Sequence, residues 1–219
     1  MRRFLKNNGL SLAYLGLFLA TLLVMSVTGH HQYNGDQRDH HEPPVGYWSY
    51  LHTGDFVEGV LENWESEFLQ MGTYVLFTVY LFQKGSPESK PLDEETPQDV
   101  DPRRQRYSDP PGPVRRGGAI LALYMNSLAI ALLALFVLSF VLHAIGGTWA
   151  YNQEQLAHGG HPVSILTFLT TSNFWFQSMQ NWQSEFLAVA SLAILGIWLR
   201  QQGSPESKPV GAPHSHTGG

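Results

Sequence analysis

Asn63-Trp64-Glu65-Ser66-Glu67-Phe68-Leu69 returns 118 residues later as Asn181-Trp182-Gln183-Ser184-Glu185-Phe186-Leu187. The same offset relates Gly85-Ser86-Pro87-Glu88-Ser89-Lys90-Pro91 to Gly203-Ser204-Pro205-Glu206-Ser207-Lys208-Pro209. It also relates Tyr33-Asn34 to Tyr151-Asn152, His40 to His158, and Pro44-Val45 to Pro162-Val163. Between 8–91 and 126–209, laid together without a gap, 31 of 84 positions are identical, about 37%. Periods of 20–50 residues would mark a solenoid or propeller, whereas one long duplication marks two copies of a domain-sized unit. Any fold proposed for one copy must serve the other.

The chain has 219 residues, 43% hydrophobic, with a mean hydropathy of −0.13. That average conceals clustering, because Leu10–Val27 runs 18 residues without a charge and Ala119–Leu142 runs 24. About 20 apolar residues at about 1.5 Å each cross a hydrocarbon layer of about 30 Å, so both runs read as membrane spans. A net charge of −5 argues against a nucleic-acid partner. The lack of cysteine removes disulfides, thiolate metal sites, cysteine nucleophiles and covalent haem attachment.

Each copy holds a second, shorter apolar run, Phe68–Phe82 and Phe186–Leu199, of a length ambiguous between a span and a core helix. Charge placement decides. If both short runs cross, the N-terminus, the connection 83–118 and the tail 200–219 share one side. That side holds 12 of the 13 Lys and Arg, namely Arg2, Arg3, Lys6, Lys84, Lys90, Arg103, Arg104, Arg106, Arg115, Arg116, Arg200 and Lys208. Only Arg38 falls opposite. The rule that cytoplasmic loops carry the cations puts that side in the cytoplasm. The competing reading of the first run is a signal peptide, with Arg2-Arg3-Phe4-Leu5-Lys6 as its basic region and cleavage near Val27-Thr28-Gly29. The mid-chain counterpart Ala119–Leu142 cannot be a signal, which counts against it.

The expected fold is therefore an all-α membrane protein with four transmembrane helices, arranged as two tandem two-helix repeats about a parallel pseudo-two-fold axis. Residues 1–91 form the first repeat, with spans at about 9–28 and 63–83. Residues 92–118 form a Pro-rich charged cytoplasmic linker, and 119–209 form the second repeat, with spans at about 119–145 and 181–200. Residues 210–219 form a disordered tail, since linker and tail lack the apolar surface to offset chain entropy. Gly85 and Gly203 would end the second helix of each repeat. The outer loops predict short interfacial helices starting at Pro44 and Pro162. The next helices would open on Asp55, in a capping box with Glu58, and on Ser172 or Asn173.

Polar residues near the membrane are the candidates for function. Asn63, Ser66, Glu67 and Gln70 share one helix face, and the second copy repeats Asn181, Ser184 and Glu185. Glu65 becomes Gln183, leaving Glu67 and Glu185 as the carboxylates common to both copies. An ionisable group in the bilayer is a functional hypothesis by default. The plainer reading places it shallowly at a helix N-terminus, holding helices together. Trp64, Trp182, Tyr33 and Tyr151 are expected as interfacial anchors, with Tyr33-Asn34 and Tyr151-Asn152 capping the first span of each copy. His30, His31, His40, His41, His52, His143, His158 and His161 lie on or beside the outer side, and only His40 and His158 correspond. They are weak metal candidates, and no known ligand pattern joins them. No nucleophile elbow, phosphate loop or acid–base pair occurs.

The opening Phe4-Leu5-Lys6-Asn7-Asn8-Gly9-Leu10-Ser11-Leu12, the two N-W-x-S-E-F-L segments and the G-S-P-E-S-K-P endings resemble a bacterial integral-membrane family of unknown function. The resemblance covers nearly the whole chain and implies a multi-pass protein of the bacterial inner membrane, with no activity, substrate or cofactor attached. The expected role is structural, accessory or envelope-related rather than enzymatic, with both termini cytoplasmic and no cofactor. The lipid bilayer is the expected partner, a homo-oligomer or membrane-protein partner being open. The alternatives are a small transporter or proton-linked channel using Glu67 and Glu185, and an outer-face metal or haem binder using loop histidines.

Overall fold

Helices carry the structure, and two of them are long and apolar enough to cross a membrane, Gly9–Asp39 and Ser127–Ala157. Only 6% and 22% of their most apolar stretches are buried within the chain. A helix apolar all round belongs in a protein core or in lipid, and these two lack a protein core around them. The computed structural model describes residues 2–105 and 107–218. Arg106, counted above among the cations, lies outside the described residues, as do Met1 and Gly219 at the limits of the expected first repeat and tail.

In chain order the helices are α1 (Arg2–Asn7), α2 (Gly9–Asp39), α3 (Tyr47–Tyr50), α4 (Gly54–Tyr80), α5 (Gly112–Arg116), α6 (Gly118–Met125), α7 (Ser127–Ala157), α8 (Ile165–Phe168) and α9 (Ser172–Leu195). No strand occurs among the described residues. Helix α4 has 27 residues, about 40 Å, but carries Asp55, Glu58, Glu62, Glu65 and Glu67, and α9 is rich in amides, so neither matches α2 and α7 in apolarity. The breaks before α2 and α7 fall at corresponding residues. Asn8 donates its side-chain amide to the Phe4 carbonyl and Asn126 to that of Ala122, both at 2.9 Å. The second apolar run is therefore divided, and α2 and α7 continue past the expected span ends to Asp39 and Ala157.

The chain forms two compact units, each containing segments of both sequence copies. The first comprises Met1–Leu61 and Leu142–Phe174, the second Glu62–Val141 and Trp175–Gly219.

In the first unit the two copies solve the same turn with the same side chain. The Asn34 amide brackets the Val45 peptide, accepting from its N–H at 2.7 Å and donating to its C=O at 3.0 Å. Asn152 does the same to Val163, at 2.7 and 2.9 Å. These residues hold the returning loop rather than cap a helix end. Held extended, the loop cannot turn helical at Pro44 or Pro162. Helices α3 and α8 begin three residues later than expected, after Gly46 and Ser164, both with β-region backbone. Tyr50 and Phe168 are buried at the ends of these single turns, with ring centroids 5.4 and 5.5 Å from Phe56 and Phe174.

The caps of α4 and α9 also sit earlier than expected. Thr53 Oγ1 accepts the Phe56 N–H and Thr171 Oγ1 that of Phe174, each at 3.3 Å. Each hydroxyl is oriented by donating to the carbonyl of Tyr50 or Phe168 at 2.7 Å. That dual bond fixes the threonines as caps in place of Asp55 and of Ser172 or Asn173. Immediately after, Gly54 lies against the α7 backbone, where a Cβ would stand 2.5 Å from the Ala150 nitrogen. A Cβ on Gly146 would meet Val57 at 2.8 Å, so small residues set this close crossing.

In the second unit, α4 and α9 end at Tyr80 and Leu195, ahead of Gly85 and Gly203. Those glycines serve inside the following loops, at φ of 86° and 84°. The G-S-P-E-S-K-P repeat is a serine-stapled turn. Ser89 accepts the Gln83 N–H at 3.0 Å and Ser207 that of Gln201 at 2.9 Å, while Ser86 and Ser204 accept the Glu88 and Glu206 N–H groups at 3.2 Å. Lys208, 1% exposed, donates to the carbonyls of Gly85, Ile197, His214 and His216. Residues of the expected disordered tail therefore carry bonds: Thr217 Oγ1 accepts the Gly85 N–H at 2.9 Å, and the Gly218 N–H donates to Ser86 at 3.0 Å. Lys90, at the end of the first repeat, pairs with Asp99 of the linker at 2.5 Å.

Substituting Gly54→Ala should lower stability by about 1–3 kcal/mol, the usual range for an overpacked contact. Gly16→Ala, with open space around it, should not. Thermal denaturation of the two purified variants in detergent separates them.

Candidate functional site

The helix face singled out by sequence divides on folding. Ser66 is buried, while Asn63 and Glu67 are exposed and Gln70 is half-buried. In the second copy Asn181 and Glu185 are half-buried and Ser184 is exposed. Ser66 and Ser184 donate back to the carbonyls of Asn63 and Asn181 at 2.8 Å, so both hydroxyls serve their own helix. Gln70 donates to the Glu185 backbone carbonyl at 2.9 Å, joining α4 to α9. The carboxylates of Glu67 and Glu185 are close enough to interact electrostatically. Asn181 donates to the Gln177 carbonyl at 3.3 Å.

The group that sequence reasoning passed over is Glu65. It is 0% exposed, and its Oε1 accepts the Trp182 indole N–H at 2.9 Å. Trp182 itself lies edge-on to Phe136 and Trp175, at centroid distances of 6.0 and 6.5 Å. The bond links a residue of one copy to the other copy. Its signal was present in the repeat, since Glu65 stands opposite Gln183. A position that differs within an otherwise identical motif is where the two copies do different work.

Tyr33 and Tyr151 occupy matching places, with ring centroids 5.5 Å from Tyr50 and 5.4 Å from Phe168. Trp64 is 37% exposed. Burial, followed by the neighbouring charge of the Asp55 carboxylate, pushes the Tyr50 pKa up to about 12. Phe168 and Asn173 stand at the equivalent positions, so this contact belongs to the first copy alone.

His40 and His158, the one matching histidine pair, meet with ring centroids 5.8 Å apart. Each Nδ1 bonds the carbonyl four residues back, Asp36 at 2.8 Å and Glu154 at 2.9 Å, which leaves Nε2 with the lone pair. No group of three or more His, Asp or Glu among the described residues is placed to hold a metal ion. His30 Nε2 lies 2.8 Å from the Val45 carbonyl, inside the Asn34 clamp, and His143 is buried with its ring centroid 4.9 Å from that of Phe174.

Replacing Trp182 by Phe keeps the ring packing and takes a donor from buried Glu65. The loss should be about 1–3 kcal/mol, and Glu65→Gln combined with Trp182→Phe should recover part of it, as a chemical-denaturation double-mutant cycle would show. Tyr50 gives a pH signature. Its folded-state pKa lies above the unfolded value near 10, so its contribution is present below about pH 10 and is lost as pH rises toward 12. Tyr50→Phe should flatten the fall in melting temperature across that window.

No curated protein and no solved structure was found to be similar to the chain. A family match covers residues 1–219, under the description Domain of unknown function (DUF6766). The chain belongs to that family.

Proposed function

We propose that this protein is a four-span integral protein of the bacterial inner membrane, with a structural, accessory or envelope-related role rather than an enzymatic one. The observation that carries the reading is the outward-facing apolar surface of α2 and α7, of which 6% and 22% is buried within the chain. Such a surface in water would be an aggregation site, whereas in lipid it is the normal exterior.

The spans added to those two are α4 and α9. The acidic residues of α4 end at Glu67, and the rest of the helix to Tyr80 has no charge. In α9 the segment from Phe186 to Leu195 is likewise uncharged. Four crossings gather 12 of 13 Lys and Arg on one side, in keeping with cytoplasmic termini and linker. Two crossings alone would put the basic linker outside. The bacterial inner membrane as location follows from the sequence resemblance.

A non-catalytic role is supported by what the buried polar groups do. Glu65 holds Trp182, Lys208 holds four carbonyls, and the Asn34 and Asn152 amides hold loops. These groups join chain to chain, and in the described structure none is positioned as a nucleophile beside a base.

The cysteine-free chain makes the topology directly testable. In intact spheroplasts a membrane-impermeant maleimide should label His161→Cys, and should label Asp99→Cys only after permeabilisation. Labelling of Asp99→Cys in intact spheroplasts would instead favour two crossings and refute the four-span arrangement.

A further inference from the structure

The second unit contains a cleft of about 410 Å³ between α4 and α9, lined by Tyr74, Phe77, Phe82, Phe186 and Ala193 among others, with Glu88 at its polar end. Glu88 Oε2 accepts the Tyr74 hydroxyl. Its other oxygen, Oε1, is buried and has no hydrogen-bond partner. A carboxylate oxygen removed from water and left unbonded is expensive, so an occupant that donates to it gains from the mismatch. Lys90, whose ammonium stands 5.9 Å from the Phe82 ring centroid, is already held by Asp99. The second copy lacks this arrangement, with Leu192 in place of Tyr74 and Glu206 exposed. The Tyr74–Glu88 pair is therefore particular to the first repeat, while Phe186 and Ala193 of the second repeat supply the facing wall.

We propose that this cleft binds a primary ammonium carried on a hydrocarbon chain, the N–H groups meeting Glu88 Oε1 and the chain lying along the aromatic and alanine walls. The size suits one chain, the walls are mostly apolar, and the unbonded carboxylate oxygen favours a charged donor over a neutral one. A primary amine is favoured over a quaternary one because only the former has N–H to give. Two sources share this chemistry, the head group of phosphatidylethanolamine and a free long-chain amine. The site stands on the geometry of the second unit and does not depend on the number of spans.

The test uses the full chain in detergent, with n-dodecylamine as probe and dodecyltrimethylammonium and dodecanol as comparisons. Dodecylamine should bind saturably and raise the melting temperature, with the other two at least tenfold weaker. Glu88→Gln should weaken dodecylamine at least tenfold, and Ala193→Phe, which fills the cleft without altering charge, should abolish binding. Melting curves without ligand report whether each variant folds, and Ala193→Phe decides if Glu88→Gln does not. In nanodiscs, weaker dodecylamine binding with phosphatidylethanolamine than with phosphatidylglycerol alone identifies the lipid head as the natural source. Equal binding in both identifies a free amine. Equal binding of amine, quaternary ammonium and alcohol, or binding unchanged in Ala193→Phe, would overturn the proposal.

Discussion

One side-chain amide laid against the backbone N–H and C=O of one residue, twice over, organises the loops of this protein. Asn34 on Val45 and Asn152 on Val163 each satisfy a backbone donor and a backbone acceptor 11 residues away. Near a membrane an unsatisfied peptide is costly, and a single asparagine settles both groups at once. The rest follows in sequence. With the valine peptide pinned and extended, the next helical turn is delayed to α3 or α8, which brings Tyr50 or Phe168 into the same buried place. The threonine three residues on can then reach both backward to a carbonyl and forward to an N–H in the first turn of α4 or α9.

Several identities between the copies are backbone chemistry: kinking asparagines, clamping asparagines, capping threonines and stapling serines. The differences carry the individuality. Tyr50 faces Asp55 where the second copy has Phe168 and Asn173. Glu65 takes the indole of Trp182 where Gln183 is exposed. Tyr74 holds Glu88 where Leu192 cannot hold Glu206. In each case the first copy has gained an acidic contact, and in two of them the partner is a phenol. The matching positions supply a frame, and the departures from them supply the individual contacts.

Much of the helical framework was legible in the sequence, for physical reasons that apply locally. Long uncharged runs can hardly be anything but helices, and α2 and α7 appear where those runs lie. Several residues matched between the copies make matching bonds, in roles other than those expected. Tyr33-Asn34 looks like a helix cap because the apolar run stops there, yet the helix continues to Asp39 and the buried Asn34 holds Val45 instead. The prolines at 44 and 162 looked like helix starts, because proline tolerance at a first helical position is a local rule and the amide holding the neighbouring valine is not local. Asp55 has the right spacing for a capping box, but Thr53 is the residue that Tyr50's carbonyl orients. Glu65 differs between the copies, and its partner Trp182 lies more than a hundred residues away, so its role is not local in sequence. The Lys208 cage was invisible for the same reason, since four carbonyls have no sequence signature.

That cage has a consequence for biosynthesis. The loop after α4 finds its partners among residues 208 to 218: Lys208 for the Gly85 carbonyl, Thr217 for its amide, Gly218 for Ser86. A ribosome delivers those partners more than a hundred residues after the loop itself. The loop must wait, its turn formed but its outer hydrogen-bonding groups still hydrated, until residues 208–218 emerge to close it.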